Sequence, residues 1–258
     1  GSLAVATGNA PVAIGFTDGG IGASVGEATL KIDEFVYVHG AFAFEKGVQH
    51  DVTVDTGLSA AEALQLAGTL AKIETVADVS ADGSRITGLR VDTFNIGMRD
   101  VDLFIGYGVP DFDSTVPYDE QEGVFGIVLH DVDLGLSVLT PVARDVKLRF
   151  TALSASASQF LVAGGGDIFK LEGNDIEVAV NWSNGWGGSA KGRPVVNFQE
   201  SFKEDGGLKV ETGAEPILLD FNEGVIEARV KNAVLAISQF VYVSGNFAFR
   251  RGASVDLK

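Results

Sequence analysis

An all-β protein, built as an elongated antiparallel sheet or sandwich inside a tandem-repeat array, follows from three features of the sequence. Apolar and polar residues alternate in segment after segment. Glycine and phenylalanine are abundant (33 and 17 residues), whereas proline is scarce at 6 and methionine is represented by Met98 alone. Residues 5–53 also align with residues 210–258 without a gap, at a constant offset of 205, with 22 of 49 positions identical. Alternation with period two places successive side chains on opposite faces of a strand, and a glycine-rich, β-branched and aromatic composition suits pleated sheets joined by tight turns.

Alternation is clearest where Val132, Leu134, Leu136 and Val138 face away from Asp131, Asp133 and Ser137. The same holds for Val146, Leu148, Phe150 and Ala152 against Lys147, Arg149 and Thr151, and for Ile176, Val178, Val180 and Trp182 against Asp175, Glu177 and Asn181. Each reads as a strand with its apolar face buried and its polar face in water. Further strands are expected near 10–17, 20–33, 71–79, 86–96, 100–107, 123–130, 154–164, 195–199 and 207–212. Turns are marked by Asp18-Gly19-Gly20, Asp82-Gly83, Gly164-Gly165-Gly166 and Asp205-Gly206-Gly207. One helix is expected near 59–66, where Ser59 can cap and Glu62 completes a capping box ahead of Ala60, Ala61, Ala63, Leu64 and Leu66.

The two aligned copies keep their bulk: Phe35/Phe240, Val36/Val241, Tyr37/Tyr242, Val38/Val243, Phe42/Phe247 and Phe44/Phe249. Exposed positions drift, as when Glu45-Lys46 becomes Arg250-Arg251. Both faces of Phe35–Phe44 are apolar, so this strand and its copy are expected to be covered on both sides, with Phe240, Tyr242, Phe247 and Phe249 packed against residues 140–200. Residues 1–205 then form one unit, and 206–258 either open the next or complete the first. A 205-residue period exceeds the usual solenoid repeats and points to domain-sized units, with a β-solenoid as the alternative. Gly1-Ser2 reads as a cloning remnant, so the chain is expected to start inside a longer protein.

A formal net charge of −16 and a pI near 4.5 disfavour nucleic acids and anionic membranes and favour cations or basic partners. The chain has no cysteine, which excludes disulfides, thiol catalysis and cysteine-ligated zinc. No apolar run has the length of a membrane span.

Candidate site residues are few. The loop 109–122, VPDFDSTVPYDEQE, carries Asp111, Asp113, Asp119, Glu120 and Glu122, enough oxygen ligands to suggest calcium. Its spacing is not that of an EF-hand or a calcium-binding nonapeptide repeat, so a solvated acidic loop is the preferred reading. Trp186, among glycines, is a candidate for stacking on a glycan, weighed against the preferred role of packing a turn. Trp182 reads as core. The histidines His39, His50 and His130 read as structural, since the second copy has Ser244 and Val255 in place of the first two. No nucleophile elbow, phosphate loop or HExxH motif is present, so no catalytic residue and no cofactor beyond calcium is expected.

At VYVSGNFAF, with VKNAVLAISQF upstream and FIGYG at 104–108, the chain resembles roughly 200-residue repeats of giant bacterial surface or secreted proteins, some of which carry an LEPR-XLL region. The resemblance implies an exported, very long, adhesin-like protein in which this segment is a stalk or spacer touching neighbouring repeats and, potentially, a surface glycan. A carbohydrate- or calcium-binding β module is the alternative, ahead of an enzyme of unfamiliar type.

Overall fold

The computed structural model describes residues 2–5, 12–15, 20–33, 35–112, 114–166, 168–186 and 192–251, with the first two stretches and Asp119 described by backbone alone. In chain order the elements are β1 (Ser2–Val5), β2 (Val12–Gly15), β3 (Ile21–Ile32), β4 (Val36–Asp55), α1 (Ala60–Gln65), α2 (Ala67–Ile73), β5 (Asp78–Val79), β6 (Arg85–Tyr107) and β7 (Phe125–Pro141). They continue with β8 (Phe150–Ala163), β9 (Phe169–Ser183), β10 (Val195–Asn197), α3 (Phe198–Ser201), β11 (Leu208–Val210), β12 (Ile217–Leu219), β13 (Val225–Ile237) and β14 (Val241–Arg251).

The protein is mostly β, and its body is one ten-stranded antiparallel sheet in the order β3-β4-β6-β7-β8-β9-β13-β14, with β5 on β6 and β10 on β4. Two small hairpins, β1–β2 and β11–β12, form sheets of their own. Among the described residues every strand pairing is antiparallel, so the solenoid alternative does not describe them.

The long strands are bent instead of ended. Asp100, Asp131, Asp175 and Asn232 have left-handed φ angles of 46–51°, and the registers place them with Gly40 and Gly245 close to one line across the sheet. Asp and Asn tolerate this conformation best among residues with a side chain. The registers of β3–β4, β4–β6, β6–β7 and β9–β13 shift near this line, as at β-bulges. A bulge leaves a backbone N–H without its ladder partner, and here a side chain on the next strand accepts it. Asp133 Oδ1 accepts from Asp100 N (3.0 Å), Asp102 Oδ1 from Asp131 N (3.3 Å), and Asn246 Oδ1 from Asn232 N (2.9 Å).

Directly paired residues share a face, so the registers can be followed across the sheet. One face, at one end, carries the main core: Leu89, Val91, Leu139, Phe150 and Ala152 packed under Ala63, Leu70, Ile73, Val146, Leu148, Val196 and Phe198. Leu208, Val210 and Leu219 from the β11–β12 hairpin belong to the same core. The hairpin comes close because glycines lie beneath it. A Cβ on Gly97 would sit 2.0 Å from the Glu211 carbonyl oxygen, and one on Gly135 would sit 2.7 Å from Ile217. Arg99 fastens the hairpin loop, donating to the carbonyls of Glu215 and Pro216 (3.2 and 3.3 Å) while bonded to Asp133 at 2.6 Å.

The covered face is therefore small and polar in its middle. Thr93, Asn95, Ser137, Asn181 and Ser183 are buried there. Ser137 donates to Asn95 (2.7 Å), and Asn181 donates to the carbonyls of Val196 and Glu223 (2.8 and 2.9 Å). This reverses the expectation for β7 and β9: Leu136, Val138, Val180 and Trp182 are only partly buried, on the opposite, open face. Trp182 is thus not core; Arg193 lies over its ring at 5.0 Å.

A second, smaller core of Phe104, Val124, Val128, Leu161 and Ala163 lies at the other end of the sheet. Leu161 shares its parity along the regular strand β8 with Leu153, so this core is on the open face. The two faces are covered at opposite ends.

Other expectations are met or revised locally. Ser59 caps α1 in a full capping box with Glu62. The 71–79 strand is instead α2 followed by the two-residue β5, because Leu66, Leu70 and Ile73 recur at helical spacing and turn toward the main core. Residues 146–149 supply Val146 and Leu148 to the core, but regular pairing of β8 begins only at Phe150. The Asp82-Gly83 turn closes as expected. Ser84 N, Ser80 Oγ and Ser84 Oγ all donate to Asp82 Oδ1, and these bonds, led by the backbone one, hold its carboxyl at about 2. Of the Asp18-Gly19-Gly20 turn, Asp18 and Gly19 lie outside the described residues.

Close packing of the hairpin on bare backbone makes a specific demand. Gly97→Ala is expected to lower stability by about 2 kcal/mol or more through overpacking. Gly68→Ala, in α2 with open space around its Cβ position, should be neutral or stabilising by up to about 1 kcal/mol. Urea unfolding of the two variants checks the contrast.

Candidate functional site: the sheet edges and the acidic loop

The aligned copies adopt the same strand pairing residue for residue. Ile21↔Lys46, Ala23↔Phe44 and Ile32↔Val36 in β3–β4 become Ile226↔Arg251, Ala228↔Phe249 and Ile237↔Val241 in β13–β14. The bulge falls at Val25/Ala28 in one and Val230/Ala233 in the other. Asp33 and Ser238, in the connecting turns, both have left-handed φ angles (51° and 46°). Phe35 N and Phe240 N each donate back to the isoleucine three residues earlier, at 3.1 and 3.0 Å. The correspondence extends upstream: Leu3↔Ile14 and Val5↔Val12 in β1–β2 match Leu208↔Leu219 and Val210↔Ile217 in β11–β12.

Burial differs between the copies, and position explains it. β4 lies between β3 and β6, and Ala41 and Ala43 are buried. Among the described residues β14 pairs with β13 alone, and every described residue of it is exposed. Phe240 is 90% exposed where Phe35 is 54%, and Tyr242 is 72% exposed. The expected packing of Phe240, Tyr242, Phe247 and Phe249 on 140–200 is therefore not made. The second copy joins the sheet through β13, which pairs with β9 from Val225↔Asn181 to Ile237↔Phe169. Across that seam Arg229 meets Glu177 and Lys231 meets Asp175, both at 3.2 Å. The first copy has Ser24 and Gly26 at those places. The outer edge of β3 is likewise unpaired among the described residues.

The 109–122 loop is shaped by its aromatic residues, not its acids. Phe112 stacks on Tyr37 (5.1 Å between centroids) and lies 5.4 Å from Tyr118, and both roof the second core. Gln121 clamps the loop, accepting from Asp111 N (2.7 Å) and donating to the carbonyls of Asp111 and Val116 (3.0 and 3.1 Å). Asp111, Glu120 and Glu122 are exposed, and no three ligand-bearing groups of this loop converge among the described residues. Asp113 and the side chain of Asp119 lie outside those residues. A cavity of about 160 Å³ separates Ser114–Tyr118 from Gln159, Leu161 and Glu172.

Convergence occurs elsewhere. Asp102, His130 and Asp131 bring ligand atoms within 4.8 Å of one another. Nδ1 of His130 bonds Asp102 Oδ1, and Nε2 lies 3.4 Å from Asp131 Oδ2. Each ring nitrogen thus faces a different carboxylate, an imidazole held between two strands of the bulge line. The sequence carried a signal for this pairing: Arg99-Asp100-Val101-Asp102-Leu103 and His130-Asp131-Val132-Asp133-Leu134 share an Asp-Val-Asp-Leu core on adjacent strands. His39 bonds Thr29 at 2.8 Å, and His50 sits edge-on to Phe202. Trp186 is partly buried against the main core, and its indole N–H donates to the Thr56 carbonyl at 3.0 Å.

No protein-family model, curated protein or solved structure matches this chain.

Because Phe112 holds the loop down, Phe112→Ala is expected to cost about 2–4 kcal/mol and to expose 109–122 to proteolysis. Millimolar calcium or a chelator should leave the melting temperature of the native chain unchanged. A calcium-dependent rise, abolished by Asp111→Asn with Asp113→Asn, would instead mark a cation site.

Proposed function

We propose that this chain is a structural unit of a tandem array in which one antiparallel sheet runs without a break from copy to copy. It would serve as an extended stalk or spacer of an extracellular or cell-surface, adhesin-like protein. The observation that carries the reading is the shared register of β1–β4 and β11–β14. A unit whose opening hairpins recur, in the same register, on its own far edge has the geometry to be continued. Two further features support it. The β11–β12 hairpin of the second copy completes the main core of the first, so neighbouring copies share a core as well as a sheet. The apolar side chains of β14 are exposed where those of β4 meet β6. The acidic, cysteine-free composition is compatible with export.

Within such an array β3 and its counterpart β13 stand six strands apart. Each copy would then lengthen the sheet by about 29 Å at the usual spacing of ~4.8 Å per strand. Following a row of directly paired residues from Ala23 leads to Ile226, the counterpart of Ile21, so successive copies step two residues along the strand.

Since residue 258 corresponds to residue 53, a chain of 1–258 continued by a second 54–258 recreates two consecutive copies. Amide exchange across 241–251 should slow at least tenfold relative to the single chain, and small-angle scattering should show one body longer by about 29 Å. Unchanged exchange at 241–251, with scattering from two flexibly linked bodies, would favour independent beads and defeat the continuous sheet.

A further inference from the structure

The open face of the sheet carries a band that the intramolecular packing leaves uncovered. Two rows of directly paired residues trace it. One runs Ala23, Phe44, Ile96, Leu136, Leu153, Val180, Ile226; the next runs Val25, Phe42, Met98, Leu134, Ala155, Val178, Ala228, Phe249. A third row includes Phe94, Val138, Thr151 and Trp182. Lys46 and Arg251, near the two ends, are the charged members of these rows. None of the side chains in the three rows is fully buried, and Val25, Phe44, Phe94 and Phe249 are exposed. Between β3, β4 and β6 the band deepens into an apolar groove of about 600 Å³, walled by Val25, Phe42, Phe44, Phe94 and Ile96.

We propose that this band is the interface for a second copy of the chain, packed face to face as the two layers of a β-sandwich. Three observations select that occupant. The 22 paired positions of the three rows, each about 4.8 Å by 6.8 Å, make a patch of roughly 700 Å², close to the ~800 Å² per partner of a stable interface. A twisted sheet face is best matched by another sheet of the same twist about 10 Å away. The band also has the same chemistry at both ends, Ala23 and Phe44 recurring as Ala228 and Phe249, so it continues wherever the sheet does and calls for an equally periodic cover. Between Lys46 and Arg251 at its ends, a charged or nucleic-acid partner has nothing to hold along it. The inference rests on the sheet face and not on the edges that carry the array reading, so either can fail without the other.

Light scattering on the native chain should give a dimer at micromolar concentrations. Phe94→Glu, with its circular dichroism and melting unchanged, should weaken the dimer at least tenfold. Val243→Pro, on the free edge of β14, should leave it intact. A native chain that stays monomeric at hundreds of micromolar, a folded Phe94→Glu that dimerises as before, or a dimer abolished by Val243→Pro would each overturn the proposal. Should Phe94→Glu not fold, Leu136→Cys decides, because Leu136 lies near the centre of the band and the chain has no other cysteine. A short bismaleimide should then yield a covalent dimer, and its absence would refute the interface.

Discussion

The close approach of the β11–β12 hairpin to the sheet is the constraint on which the rest of the structure depends. Leu208, Val210 and Leu219 enter the main core only because β6 and β7 offer bare backbone at Gly97 and Gly135. Once the hairpin lies that low, its neighbours beneath must be small, and their polar atoms must be satisfied. Ser137 meets both demands by donating to Asn95, and Asn181 satisfies its amide N–H groups on the carbonyls of Val196 and Glu223, leaving its Oδ1 as the buried polar atom without a partner among the described residues. The bulky alternating residues are then left on the other face. A single packing decision thus accounts for the core, the buried polar network and the open apolar band.

The line of left-handed Asp and Asn residues does a different job. Strands as long as β6, at 23 residues, would coil strongly if they ran straight through. The bulges let each strand bend while its neighbour's carboxylate or amide caps the freed N–H. Arg99 then offsets the acids gathered there by pairing with Asp133, and His130 bonds Asp102. The carboxylates of Asp133 and Asp102 thus each accept an N–H that a bulge frees on the neighbouring strand.

The two copies differ in charge at the seam. Arg229 and Lys231 face Glu177 and Asp175 on β9, whereas β3 carries Ser24 and Gly26. Exposed pairs of this kind contribute only about 0.2–1 kcal/mol each, too little to hold the sheet together, but enough to bias which strand pairs with which. The strand that would flank β3 in an array therefore need not carry the acids of β9.

Much of this was legible in the sequence, for physical reasons. Period-two alternation, turn glycines and the Ser59–Glu62 box are local signals, and local chemistry decides strand, turn and cap. The repeat was legible because two copies of one packed unit must keep the same bulk at the same places, so the registers of β3–β4 and β13–β14 agree. What the tertiary structure alone decided is which face of each strand is covered. Alternation shows that two faces differ, and the usual assignment puts the apolar one inside. Here the glycines of β6 and β7 and the hairpin more than 70 residues further on reverse that choice for β7 and β9. The exposure of Phe240 and Tyr242 has the same kind of origin: a side chain is buried only if another strand lies beside it, and neighbours are set by topology, not by the residue itself.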